Sequence, residues 1–505
     1  MDQARLQPGN LAALPADVAV PRYDCTALRG GIVHLGVGAF QRAHLAVVNE
    51  AVLQARGAAG EDAAWGIVGV SLRSPDTRDA LAPQAGLYTV ATRDADDQGR
   101  PRERLQVIGN LLEVLVAPGD PAAVLARIAH ADCRIVSLTV TEKGYGHDPA
   151  TLALRWDDAD IAHDLLHADA PRSAVGMLVR GLQLRQVRGL GPVTLMSLDN
   201  LPANGHTLRG LVLEFAGRVD AGLQAWISDS CTFPNSMVDR IVPRTTDEDR
   251  AVISARLGLL DAWPVLGEPF LDWAVEDRFA AGRPDWTLGG ARFVPDAEPF
   301  EKLKLRMVNG THSSLAYLGA MAGWATVDRA VAEPAMQGFL RRLMQEEIEP
   351  TLPALPGLDL ADYRERLLQR YANPALKHQT RQIAMDGSQK LPQRLLDTVR
   401  DRLAAGASVE LLALGVAAWL HFLRGVDEAG RSYAIQDPMA VSLTEALARA
   451  ARAPDPAGRT AAFMAAVPLF GELARHADFV GAVAAHRASL ETEGVAGTLR
   501  RLARA

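Results

Sequence analysis

Residues 300–319, FEKLKLRMVNGTHSSLAYLG, place Glu301, Lys304, Asn309 and His312 among apolar neighbours. Glu, Lys and His transfer protons, and the Asn amide both donates and accepts hydrogen bonds. Together these types suit proton transfer and hydrogen bonding to a hydroxylated substrate. The pattern predicts a helix. At about 100° per residue, Glu301 and Lys304 are neighbours, His312 lies about 80° round from Lys304, and Asn309 lies about 60° beyond His312. The four share an arc of roughly 140°, and apolar residues are interleaved among them in the sequence. Gly310 lets a backbone or ligand approach closely, at a cost of about 1 kcal/mol relative to Ala. The plainer alternative is a surface helix with scattered polar residues.

Such residues need elements to hold them. The first half of the chain alternates short apolar runs with helical ones. GGIVHLGVGAF reads as a strand and a glycine turn, and QRAHLAVVNEAVLQA as the helix that follows. WGIVGVSL, CRIVSLTVTEKGY and GPVTLMSLDNLPANG read as further strands, the last ending in Asp199 and Asn200. Strands separated by helices predict a parallel sheet covered on both faces, with ligands at the carboxyl ends of the strands. Beyond Phe300 long helical patterns take over, among them LADYRERLLQRYA and VELLALGVAAWLHFLRG. The expected organisation is an α/β Rossmann-type domain over residues 1–293 and a mostly α-helical domain over 294–505.

With 505 residues, more than one core is expected. A net charge of -7 without a Lys/Arg block argues against nucleic acid or an anionic membrane as partner. No long apolar run suggests a membrane span, and the start lacks a basic segment followed by an apolar one, so a cytoplasmic protein is expected. Cys25, Cys133 and Cys231 lie far apart and offer no metal scaffold.

Five other runs invite chemical readings. Gly36-Val37-Gly38 follows the first strand, and Ala39 and Phe40 open the next helix, a setting in which phosphate oxygens meet backbone N–H groups. Only G-x-G is present; Gln41 stands where the usual third glycine would be. Asp76, after the second strand, suits the ribose hydroxyls of NAD, whereas Arg73 would suit a 2′-phosphate. His163 and His167 imitate a zinc pair at i, i+4, but Asp164 replaces the glutamate that zinc proteases carry after the first His. Asp386-Gly387-Ser388-Gln389-Lys390-Leu391-Pro392-Gln393-Arg394 reads as a polar turn able to close over an anionic or polyhydroxylated ligand, or as a plain link between helices. In FPNSMVDR, Asp239 and Arg240 either pair structurally or face a cleft. No G-x-S-x-G elbow occurs.

Taken together, GIVHLGVGAFQRAH, WGIVGVSLRSPD, IVSLTVTEKGY, TLMSLDNLPANG, FPNSMVDRIVP, EPFLDWAVEDRFAAGRPDW, KLRMVNGTHSSLAYLG and DGSQKLPQR resemble the long-chain polyol dehydrogenases, the family of mannitol 2-dehydrogenase and fructuronate reductase (D-mannonate oxidoreductase). The resemblance implies NAD(P), no metal, and an active site between the two domains. It implies that Lys304 is the general base, that Asn200 and Asn309 hold the reacting oxygen, that His312 orients the substrate, and that Glu301 passes protons to water. Asp239 and Lys390 match substrate positions. Gly36, Gly38, Ala39, Phe40, Asp76 and Glu142 are the expected cofactor contacts. Lysine has an ordinary pKa near 10.4, so burial must lower it for base catalysis around neutral pH.

Two departures stand out: Gln41 where many members have His, and Ala85 where many have Asp. Lys143 and Arg394 are extra cations able to pair with a hexuronate carboxylate. The expected reaction interconverts a polyol or aldonate with its 2-keto sugar: mannitol with fructose, or mannonate with fructuronate. Arabinitol, sorbitol and a non-catalytic ligand sensor are the alternatives. NAD is expected ahead of NADP, and a monomer is expected.

Overall fold

The computed structural model describes residues 3–96, 100–148 and 151–503. The chain divides into two compact units, Met1–Asp94 with Arg102–Glu298, and Pro299–Ala505 with the short Ala95–Pro101.

The first unit holds eleven strands among its described residues: β1 Ile32–Leu35, β2 Ile67–Ser71, β3 Tyr88–Ala95, β4 Pro101–Ile108, β5 Leu111–Val116, β6 Ile135–Leu138, β7 Thr194–Ser197, β8 Ser236–Asp239, β9 Val265–Gly267, β10 Asp272–Glu276 and β11 Ala291–Val294. The main sheet runs β5-β2-β1-β6-β7 and is parallel throughout. Side chains alternate across its two faces. Val33, Leu35, Val136, Leu138 and Leu195 enter a core with the helices Pro121–Ile128, Ala174–Val187 and Asn204–Val219. Ile32, Ile67, Ile135 and Met196 enter a second core with helix Leu45–Arg56, Trp273 and Trp286. Both faces are therefore dry, which is why these strands read as mostly apolar runs; the polar interruptions His34 of β1 and Ser137 of β6 pair with each other at 2.8 Å. This is the Rossmann-type arrangement expected from the sequence. Two three-stranded sheets, β4-β3-β9 and β11-β10-β8, accompany it.

The second unit is mostly helical. Glu410–Phe422 is buried on every side from Leu411 to Phe422, as its all-round apolar sequence requires. It packs against Thr311–Met321 and Ala477–Thr492. Three stretches leave α-helical winding for the wider π winding: Lys304–Gly310, Leu343–Ile348 and Pro392–Leu396. The first packs against the other two. The expected turn at 386–394 is instead helical, with Gly387–Leu391 running into the π-wound Pro392–Leu396. Pro392 stands where the α winding passes into the π winding, so the N–H it lacks is lost at the point where the bonding pattern changes.

Candidate functional site

In the first unit, the candidate residues gather at the carboxyl ends of neighbouring strands. Beyond β1, Gly36 has φ +90°, and a Cβ there would lie 2.2 Å from the Thr139 carbonyl oxygen. Only glycine fits that crossing of β1 and β6. A Cβ on Gly38 would meet nothing nearer than 3.7 Å, so a ligand has room to reach its backbone. Ala39 and Phe40 open the short helix Ala39–Ala43, which breaks at His44 before Leu45–Arg56 continues. Gln41 is fully buried there, and neither amide atom has a hydrogen-bond partner among the described residues. Beyond β2, the Ser71 hydroxyl donates to the Ser74 carbonyl at 2.6 Å, and the Ser74 hydroxyl donates to Asp76 at 2.9 Å. These bonds present exposed Asp76 at the start of helix Asp76–Leu81.

Beyond β6, Thr141 has φ +65°, a conformation that β-branched residues rarely adopt. Asp199 holds it, accepting from the N–H groups of Val140 at 2.9 Å and Thr141 at 3.0 Å, and from the Tyr145 hydroxyl at 2.8 Å. Burial pushes the Asp199 carboxyl above its ordinary range, while those three donors pull it back. Sequence reasoning noted Asp199 only as the end of a strand; its clamp on the strained loop had no local signal. Glu142 and Lys143 follow in an exposed short turn, and Asn200 is exposed beyond β7. Asp239 ends β8 and is 8% exposed. The neighbouring Arg240 is structural: its guanidinium donates to the carbonyls of Glu268 and Ala43, and burial lowers its pKa to about 10.

In the second unit, Glu301 lies in helix Glu298–Leu303, Lys304 and Asn309 in the π-wound stretch, and His312 in Thr311–Met321. The π winding changes the angles expected from an α-helix, so the arc of roughly 140° does not describe the folded segment. Its outer side is fixed by Asp401, which pairs with Arg306 at 2.6 Å and Lys302 at 3.4 Å. Lys304 is 9% exposed. Gly310 behaves as expected: its missing Cβ would lie 2.6 Å from the Arg394 carbonyl oxygen. One guanidinium nitrogen of Arg394 donates to the Ser313 hydroxyl at 3.0 Å, and Lys390 Nζ donates to the Met385 carbonyl at 2.7 Å.

Burial, reinforced by the charges of His378, Arg370, Arg394 and Lys390, holds the His312 pKa well below its ordinary value. His312 is therefore neutral at physiological pH, with one ring nitrogen to donate and one to accept. Its Nε2 has no hydrogen-bond partner among the described residues. Tyr371 stacks on this ring, and His378 meets it edge-on. Neither was singled out in the sequence, because each sits in an ordinary amphipathic or loop pattern.

His163 and His167 stack with ring centroids 4.1 Å apart, and their Nδ1 atoms engage Asp164 and the His163 carbonyl. No cluster of three or more His, Cys, Asp or Glu able to hold a metal occurs among the described residues. No described helix is long and apolar enough to cross a membrane.

The Mannitol dehydrogenase Rossmann domain matches residues 30–288, and the Mannitol dehydrogenase C-terminal domain matches residues 296–491. The chain belongs to the mannitol dehydrogenase family. D-mannonate oxidoreductase of Escherichia coli is 44% identical over 473 residues, covering 93% of this chain and 94% of that one. Mannitol 2-dehydrogenase of Pseudomonas fluorescens, solved as a ternary complex with NAD and D-mannitol, superimposes with a TM-score of 0.82 at 36% identity, covering 99% of each chain. A substrate-free D-sorbitol dehydrogenase superimposes with a TM-score of 0.89 at 33% identity, covering 98% of this chain and 100% of that one. The open backbone at Gly38 and the tight crossing at Gly36 fit a dinucleotide at this turn.

Proposed function

We propose that this protein is an NAD-dependent secondary-alcohol dehydrogenase acting at C2 of an open-chain polyol or aldonate. The observation that carries the reading is the placement of Lys304, Asn309 and His312 on one π-wound turn and its helical continuation, with Lys304 9% exposed. π-wound turns occur frequently at functional sites.

In this reading the domain of residues 1–293 holds the cofactor and that of 294–505 the substrate. The backbone of Gly36, Gly38, Ala39 and Phe40 takes the pyrophosphate, Asp76 takes the adenosine ribose, and Glu142 borders the cofactor. The bound NAD supplies the acceptor for hydride from the carbinol carbon. Lys304 takes the hydroxyl proton, and Glu301 relays it to water. The amides of Asn200 and Asn309 donate to the oxygen as it becomes an alkoxide, a contribution worth about 3 kcal/mol per donor in other enzymes. Neutral His312 positions the substrate without opposing the charge on Lys304. Asp239, Lys390, Arg394 and Lys143 contact the rest of the chain, the cations suiting an aldonate carboxylate.

A panel of mannitol, arabinitol, sorbitol and mannonate with NAD, and of fructose and fructuronate with NADH, tests this at 340 nm. Turnover of at least one pair is expected, unchanged by EDTA. No absorbance change with any of them refutes the reading and favours a ligand sensor. Activity lost in EDTA and restored by zinc refutes the metal-free mechanism.

A further inference from the structure

A π-wound turn displaces backbone carbonyls from their ordinary helical partners, and such carbonyls need other donors when buried. Met307 and Val308 are both buried within this turn. The Val308 carbonyl accepts from the Thr311 N–H, three residues on, and two hydroxyls also reach this pair. Thr311 Oγ1 lies 2.5 Å from the Met307 carbonyl oxygen and 3.2 Å from that of Val308. The Tyr371 hydroxyl lies 2.9 Å from the Val308 carbonyl oxygen and 2.8 Å from Thr311 Oγ1. Thr311 is fully buried and Tyr371 is 3% exposed, so water does not compete for these bonds.

The ring of Tyr371 does a second thing. It stacks on His312 with centroids 5.2 Å apart and planes 17° apart, while His378 meets His312 edge-on at 5.0 Å and 71°. Tyr371 ends helix Leu360–Tyr371, which is anchored on its own account. Asp359 caps it by accepting from the N–H groups of Ala361 and Asp362, and Arg364 pairs with Glu349. One side chain on a separately held helix thus grips the π turn by its hydroxyl and His312 by its face.

We propose that Tyr371 is a positioning residue for the proton-transfer segment: it keeps Lys304–Gly310 in its wide winding and sets the ring plane of His312. This rests on the reading of Lys304, Asn309 and His312 as the reacting set. An α-wound alternative would turn Lys304 relative to His312 by on the order of 100°, about one residue's worth. The Thr311 N–H and the Tyr371 hydroxyl together fill both lone pairs of the Val308 carbonyl, leaving none for the His312 N–H that an α-wound turn would bring to it.

The test is Tyr371→Phe in the full-length protein, which keeps the ring stack and removes the hydroxyl. Three quantities are read: kcat for the best alcohol, KM for NAD, and amide hydrogen exchange across residues 304–313. Expected are a kcat at least tenfold lower, a KM for NAD within twofold of the parent, and exchange at least tenfold faster in 304–313 with helix Glu410–Phe422 unchanged. Thr311→Val should reproduce these effects, and Thr311→Ser, which keeps a hydroxyl, should not. A Tyr371→Phe enzyme with kcat within twofold and unchanged exchange overturns the proposal. If Tyr371→Phe does not fold, the Thr311 pair decides, and equal behaviour of Val and Ser overturns it. If the parent oxidises no alcohol, the functional reading fails, and the exchange data alone still decide whether Tyr371 holds the turn.

Discussion

Gly310→Ala sets two opposing effects against each other, and the structure says which wins. The backbone at Gly310 is α-helical, with φ −66° and ψ −50°, so Ala meets no conformational strain. Helix propensity alone would make the variant more stable by about 1 kcal/mol. Against this, the new Cβ would stand 2.6 Å from the Arg394 carbonyl oxygen, whereas ordinary contact begins at 3.4 Å. The obstacle is backbone, so it cannot swing aside. The two π-wound segments must part by most of an ångström, an overpacking that costs about 1–3 kcal/mol. The net expectation is a loss of up to about 2 kcal/mol. At about 2–4 °C per kcal/mol, the helical unit melts up to about 8 °C lower. Arg394 is tied to Ser313, next to His312, so the displacement reaches the groups proposed to react. A misplacement of about 1 Å can cost about a hundredfold in rate, and a fall of at least tenfold in kcat/KM is expected. Calorimetry and initial-rate kinetics on the same preparation check both. A variant at least as stable as the parent, with kcat/KM within twofold, refutes the claim that Gly310 is required by the close approach.

Lys304→Ala should lower kcat more than about a hundredfold while leaving the dissociation constant for NADH, measured by fluorescence, nearly unchanged. Its pH profile for alcohol oxidation should lose the rise toward basic pH; more than a tenth of parental kcat with the same profile would move the base to His312 or Glu301. Asp76→Ser should bring kcat/KM with NADP closer to that with NAD, since the carboxylate that repels a 2′-phosphate is gone; an unchanged ratio refutes its ribose role. His378 has its pKa lowered from 6.5 to about 4, by burial and then by the charges of Arg370 and Lys390. As pH falls below 6.5 the unfolded chain takes up this proton before the native one does, so His378 lowers stability progressively between 6.5 and about 4. Urea midpoints at pH 7 and 4.5 should differ less in His378→Gln than in the parent, and an equal difference would show that His378 does not titrate this way.

What was legible in the sequence follows from what is local. β1, β2, β6 and β7 could be read because a strand buried on both faces needs a mostly apolar run, and each ends in glycine or polar residues. β3 and β4 could not, because their charged residues find partners across the sheet or in other elements: Arg102 pairs with Asp94, and Arg93 with Glu103 and Asp249. Those pairings appear only after folding. The same distinction runs through the helical unit. The run from Phe300 is apolar enough to announce a helix, and Lys304, Asn309 and His312 announce chemistry by their types. The winding between them is not a local property. It depends on a hydroxyl 63 positions from Val308 and on the Arg394 backbone seated against Gly310. The Asp386–Arg394 run misleads for a related reason: Asp-Gly and Pro signal a turn locally, yet Pro392 begins a π-wound stretch that packs against Lys304–Gly310. Residue type is chosen at a position, whereas the angle at which a side chain is presented is chosen by whatever packs behind it. The identities of the candidate groups were therefore readable before folding, and their geometry was not.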